Sequence, residues 1–375
     1  MRKFEGHIHT FLFKIPIRES LRLFQRQFDR FGVEKATFLA IPCEPIPGKI
    51  GFEETDLLDN IRVMYHKAAF SPNGYAYAGL EYCDLDMQDP TSLSQALLEQ
   101  VKRYKQVGYD GMKMFEGHPN TRKCIGYPLD HNVFDSYFNF CEQENFPIVM
   151  HVANPPDHWD TANVSDYWKG RGCCFDESYP SFDDLQQEVL RRLDKNPNLN
   201  LTLAHFGFLT SNKSTAEQYM SYPNTKLDVC PGSEYVFNIN KDPDYWVLFI
   251  EKHIDRLFYG TDCYTFEYDN EEHWTWLTGM RPKLVEQFFT SAGSFDHLGN
   301  PYQGIGLREE QYQKIFFDNL YAMLGQPSPI DFDHFISKCE ALLQSEPDGT
   351  LEHYNLWCML NDFRSMKNGE FDFKR

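Results

Sequence analysis

No apolar stretch in this chain of 375 residues approaches the length needed to span a bilayer, so membrane spans drop out of the reading. The opening Met-Arg-Lys-Phe-Glu-Gly-His lacks the apolar core of a secretory leader, which points to a cytoplasmic protein. Positive charge is scarce: 36 Lys and Arg stand against 55 Asp and Glu, for a formal net charge of −19. A field of that sign repels phosphate backbones and anionic lipid, which argues against nucleic acid and membrane surfaces as partners. None of the ten cysteines forms a Cys-x-x-Cys pair, and reduced thiols are the expectation. There is no low-complexity tract and no repeat longer than one strand–helix unit. What is present suits a large core: 42% of residues are hydrophobic and 16% aromatic, while a charged fraction of 24% excludes a disordered chain.

Short apolar runs alternate with longer amphipathic ones. Strands are expected at Lys3–His9, Ala36–Ile41, Tyr75–Tyr82, Gly111–Phe115, Pro147–His151, Leu199–His205, Lys226–Cys230 and Arg256–Gly260. Helical patterns fall between them, among others at Ile17–Phe31, Ser92–Val107, Val133–Glu144, Phe182–Lys195 and Tyr245–His253. This alternation predicts an α/β fold with a parallel sheet. Closure into a (β/α)₈ TIM barrel is favoured over an open sheet for two reasons. No glycine-rich phosphate loop follows the first strand, and the reactive residues cluster at the C-terminal ends of several strands. A long insertion, Ala153–Pro180, follows the fifth strand, and its Trp159, Trp168 and Tyr179 suggest an ordered loop over a pocket. Residues 1–375 are read as one domain, with two helices at about Phe332–Leu343 and Leu351–Asp362 (within 326–375) appended after the last barrel helix, Glu309–Leu324.

The first strand ends in Gly-His7-Ile-His9. Residues two apart on a strand share a face, so both imidazoles aim into the barrel mouth. The fifth strand ends on His151, the sixth on His205, and the eighth runs through Gly-Thr to Asp262. One such residue alone suggests little. Several strand ends agreeing make His7, His9, His151 and Asp262 a donor set for a divalent metal that leaves a position for water. Lys113 ends the fourth strand between two methionines.

In order and strand context, His7/His9, His151, His205 and Asp262 resemble the amidohydrolase superfamily over residues 1 to about 325, and most closely its amidohydrolase-2 branch. Asn319, in the Phe-Phe-Asp-Asn-Leu-Tyr segment, matches that branch's closing helix and is read as structural. The resemblance implies that Asp262 accepts a proton from metal-bound water. It also implies that His205 either stabilises developing charge or ligates a second metal. A carboxylated Lys113 would bridge two ions; otherwise Lys113 contacts substrate or a neighbouring group, or is purely structural, and one ion is expected. Zinc is the expected ion, with manganese or another divalent metal as alternatives.

Glu81 and Glu116 are candidates for orienting a histidine, with solvated loop carboxylates as the default. His118 and His158 are candidate substrate contacts, with exposed loop positions as the default. Trp159, Trp168 and Tyr264 are candidate pocket walls, with anchoring of their own loops as the default. Specificity is expected to lie in two loops, Ala153–Pro180 and Tyr264–Gly304.

The function these features imply is metal-dependent hydrolysis of a C–N or C–O bond (amide, lactone or ester) in a small-molecule substrate. Non-oxidative decarboxylation of an aromatic or unsaturated acid is the alternative within the same branch. A non-catalytic metal-binding module is the alternative from another class, and the presence of both Asp262 and His205 weighs against it. A homodimer is the expected assembly.

Overall fold

The computed structural model describes residues 1–10, 15–43, 58–230, 234–265 and 270–371. Eight parallel strands lie in sequence order: β1 (Lys3–Ile8), β2 (Val33–Leu39), β3 (Gly74–Gly79), β4 (Gly111–Gly117), β5 (Ile148–Val152), β6 (Leu201–Leu203), β7 (Thr225–Asp228) and β8 (Leu257–Phe258). The last strand returns to the first. Gly6 N–H donates to the Tyr259 carbonyl at 3.0 Å, and Ile8 bridges Cys263 in parallel. The result is a TIM barrel. Strands covered on both faces read as nearly continuous apolar runs. β5, Ile-Val-Met-His-Val, is buried at every position, and so is β3.

The helices end where the sequence dictates. Ile17–Phe31 follows Pro16 and stops at Gly32, whose φ of 66° suits glycine. Pro90–Val107 begins under Asp89, whose carboxylate accepts from Thr91 N–H and Ser92 N–H. Ile17–Phe31 and Phe182–Lys195 occupy the predicted spans.

The stretch Tyr264–Gly304, expected to be a loop, is largely built of regular structure. Glu271–Thr290 is a helix, and Ser294–His297 pairs with Asn300–Gln303 as an antiparallel hairpin. Within that helix Trp274, Thr278, Leu284, Val285, Phe288 and Phe289 are buried, but Gly279 and Pro282 interrupt the apolar pattern that would have revealed it.

The insertion after β5 is ordered. It holds a 3₁₀ turn, Pro156–Trp159, and a short helix, Asp166–Gly170. Its two ends are joined by the Trp159 indole N–H donating to the Pro180 carbonyl at 3.1 Å. Phe175 is fully buried at its centre, against Trp159, Tyr179, His118 and His158.

Phe332–Leu343 and Leu351–Lys367 pack on the barrel's outer helices. Asp362 receives the Tyr65 hydroxyl at 2.6 Å and Arg18 Nε at 3.0 Å, and Asn355 Oδ1 accepts Ile17 N–H at 2.8 Å. Asn319 is structural: its amide donates to the Ile254 and Leu257 carbonyls at 2.8 and 2.9 Å. None of the ten cysteines is joined in a disulfide. Among the described residues no helix is long and apolar enough to cross a membrane.

Candidate metal centre

His7 and His9 project from the end of β1 with their Nε2 atoms 3.1 Å apart. Asp262, beyond the end of β8, brings Oδ1 to 3.7 Å from His7 Nε2 and 3.5 Å from His9 Nε2. The backbone fixes this meeting. Asp262 N–H donates to the His7 carbonyl and His9 N–H to the Cys263 carbonyl, each at 2.9 Å. Gly260 permits it, since a Cβ there would lie 2.9 Å from His7 Cβ. Asp262 itself has φ 52°, a left-handed backbone that non-glycine residues adopt at a cost.

Each imidazole is held at Nδ1 by an acceptor: Asp228 Oδ2 at 2.7 Å for His7 and the Leu39 carbonyl at 2.8 Å for His9. An acceptor at Nδ1 requires the proton there, so both Nε2 atoms carry lone pairs and face one another. Burial pushes both pKa values well below the ordinary histidine range. For His7, Lys113 adds to this; for His9, His7 and Lys113 do. Two lone pairs facing each other at this distance suit a bound cation. Tetrahedral zinc with bonds of about 2.0–2.1 Å separates its donors by roughly 3.4 Å. The three edges here, 3.1, 3.5 and 3.7 Å, bracket that value. The nitrogen–nitrogen–oxygen set fits a divalent metal.

His205 lies beside this group, its ring centroid 5.2 Å from that of His7. It opens a left-handed turn, His205–Phe208, with φ between 53° and 62° at all four residues. His151 stands one ring further, 5.0 Å from His205. Its Nε2 meets Asn154 Oδ1 at 3.1 Å, and Asn154 Nδ2 meets His118 Nε2 at the same distance. Among the described residues, the close donor groups are His7–His9–Asp262 and His7–His205–Cys230, without His151.

Lys113 Nζ is 3.5 Å from His7 Nε2. Burial lowers its pKa, opposed by Asp228, Cys230, Asp262 and Glu116. Arg281, from the Glu271–Thr290 helix, reaches Asp262 Oδ2 at 3.2 Å and the Tyr264 hydroxyl at 2.8 Å.

Three defaults from the sequence need correction. Glu116 is no solvated loop carboxylate; it is buried in β4, accepts the Tyr82 hydroxyl at 2.9 Å, and burial raises its pKa to about 7. His118 and His158 are buried, not exposed, because the insertion folds over them with Phe175 between. Glu81, only partly buried, accepts Asn60 Nδ2 at 2.9 Å and pairs with Lys338, tying the exit of β3 to the C-terminal helices. Trp159 and Trp168 belong to the insertion's own packing, whereas Tyr264 joins Ile41 and Phe115 beside Arg281.

Asp228, Cys230, Asn154 and Arg281 belong to the centre and were not singled out from sequence. The signal for Asp228 existed: β7, Thr-Lys-Leu-Asp, ends on a polar residue just as β5 and β6 lead to histidines. Arg281 carried no such signal, because it reaches the site from a helix.

A family profile described as Amidohydrolase (Amidohydro_2) matches residues 75–325. No curated protein matches the chain. Among solved structures it is similar to an uncharacterized TIM-barrel protein from Bordetella bronchiseptica, with 11% identity, TM-score 0.53 and coverage of 86% of this chain and 98% of that one. It is also similar to a dihydroxybenzoic acid decarboxylase from Polaromonas sp. JS666 solved with bound manganese and an inhibitor, 2-nitroresorcinol (16%, 0.51, 86% and 97%). A third likeness is to a 4-oxalomesaconate hydratase from Rhodopseudomonas palustris (12%, 0.51, 91% and 99%). At these identities the structures speak to the fold.

Proposed function

The chain belongs to the amidohydrolase family of enzymes, and from that premise we propose that it is a metal-dependent hydrolase cleaving a C–N or C–O bond of a small molecule. The observation that carries this reading is the pair of Nε2 lone pairs facing each other at 3.1 Å beside Asp262 Oδ1. A divalent ion bound there, zinc or alternatively manganese, supplies Lewis acidity: it lowers the pKa of water and polarises a scissile carbonyl. His7, His9 and Asp262 would hold it, and His151 would serve as the fourth donor. Asp228 and the Leu39 carbonyl orient the two imidazoles from behind. Arg281 fixes Oδ2 of Asp262, leaving Oδ1 toward the histidines. His205 is the group that takes or returns a proton, and Lys113 lies beside His7 where it can meet a substrate oxygen.

Decarboxylation is the second reading, and one observation favours it. Lys113 and Arg281 both border Asp262, and together with a divalent ion they leave an excess of positive charge that a substrate carboxylate would neutralise. The test is a panel of amides, lactones, esters and aromatic or unsaturated acids, assayed on zinc- and manganese-loaded protein. Hydrolysis abolished by chelation and reduced at least a hundredfold in Asp262→Asn supports the first reading. Release of carbon dioxide without other cleavage replaces it with the second.

A further inference from the structure

Three groups converge on the buried sulfur of Cys230: Asp228 Oδ1 at 2.9 Å, His205 Nδ1 at 3.1 Å and His7 Nδ1 at 3.3 Å. A thiol has one proton to donate. His7 Nδ1 needs no donor, because its own proton goes to Asp228 Oδ2 at 2.7 Å. The strongest acceptor within reach is the Asp228 carboxylate. With S–H directed there, a sulfur lone pair faces His205 Nδ1.

We propose that Cys230 is a positioning residue for His205, accepting its Nδ1–H so that Nε2 presents a lone pair to the reacting centre. Asp228 then sets the tautomers of two histidines, His7 directly and His205 through sulfur. It also anchors the His205 backbone, since Oδ1 accepts the His205 N–H at 2.7 Å at the start of the left-handed turn. His7, His205 and Cys230 also lie close enough together to enclose a cation. Direct ligation by sulfur would require loss of the thiol proton.

The inference rests on the proposed role of His205, but its test reads proton position and needs no substrate. Histidine side-chain ¹⁵N–¹H correlation spectra are recorded on ¹⁵N-histidine-labelled protein, with and without zinc, and His205→Gln identifies the resonance. The expected result is an Nδ1–H pattern for His205 that Cys230→Ser retains, while in Cys230→Ala without zinc it shifts to a mixture or to Nε2–H. An Nε2–H pattern in the unsubstituted protein would overturn the proposal, as would a zinc-free pattern indifferent to Cys230→Ala. A thiolate-to-cobalt charge-transfer band in cobalt-loaded protein, lost in Cys230→Ala, would also overturn it by making sulfur a ligand. If the spectra hold and the substrate panel gives no turnover, the reaction is misassigned and the tautomer stands.

Discussion

At the scale of residues, the candidate centre is arranged by groups that stand behind its donor atoms. Asp228 uses one oxygen for His7 Nδ1 and the other for His205 N–H and the Cys230 thiol, so one carboxylate orients donors from β1 and β6. His7, His9, His205 and Asp262 were legible in sequence because an apolar strand ending in a polar residue at a barrel rim is a recognisable pattern. Asn154 and Arg281 were not, since a hydrogen bond across a loop and a reach from a helix leave no periodic trace. Glu116 shows the same limit and gives a pH prediction. Its folded carboxyl has a pKa of about 7 against an ordinary 4.5, with burial as the main cause. Between those values the folded state binds more protons than the unfolded one, so this group's contribution to stability falls as pH rises through the window. Glu116→Gln removes that slope. The variant is expected to gain stability relative to the unsubstituted protein on going from pH 4.5 to 7.5, by roughly 3 kcal/mol at most. Parallel melting curves at the two pH values check it, and an equal difference at both would contradict it.

At the scale of elements, strand ends do the positioning and the insertion does the covering. Left-handed backbone occurs at Ala153, His205 and Asp262, the exits of β5, β6 and β8, where each chain must turn sharply while keeping a side chain at the mouth. Strain of this kind persists where surrounding hydrogen bonds over-determine it, and here the Asp228 bond to His205 N–H and the His7 bond to Asp262 N–H do so. Sequence patterning placed the strands and most helices, because burial on both faces leaves an unmistakable apolar signature. It misread Glu271–Thr290, whose interior Gly279 and Pro282 mimic a loop. The insertion's order depends on Phe175, which is buried among Trp159, Tyr179, His118 and His158. Phe175→Ala should therefore cost about 3–5 kcal/mol locally. Limited proteolysis is expected to cut faster within 156–180 while metal content is unchanged. Unaltered cleavage would mean that the insertion is held by something else.

At the scale of the whole molecule, the two C-terminal helices are bound to the barrel's first helices by buried polar contacts as well as apolar ones. Asp362 is the hub, taking Arg18 from Ile17–Phe31 and Tyr65 from Asp59–Ala69. Removing its carboxylate leaves the buried Tyr65 hydroxyl without that acceptor, and Arg18 is half exposed, so Asp362→Ala is expected to cost ~2 kcal/mol. If helices and barrel form one cooperative unit, far-ultraviolet dichroism and tryptophan fluorescence will shift to lower urea together. A separate early transition with the barrel midpoint unmoved would instead make the helices an independent appendage.

His7, His9 and Asp262 are placed to share a cation, and elemental analysis of purified protein decides whether they do. Protein loaded with zinc or manganese and freed of excess metal should retain about one ion per chain, and His9→Ala and Asp262→Ala should lose it while remaining folded. Two ions would add His205 and a carboxylated Lys113 to the ligands. Retention of the same metal content in both variants would mean that these residues do not hold the ion.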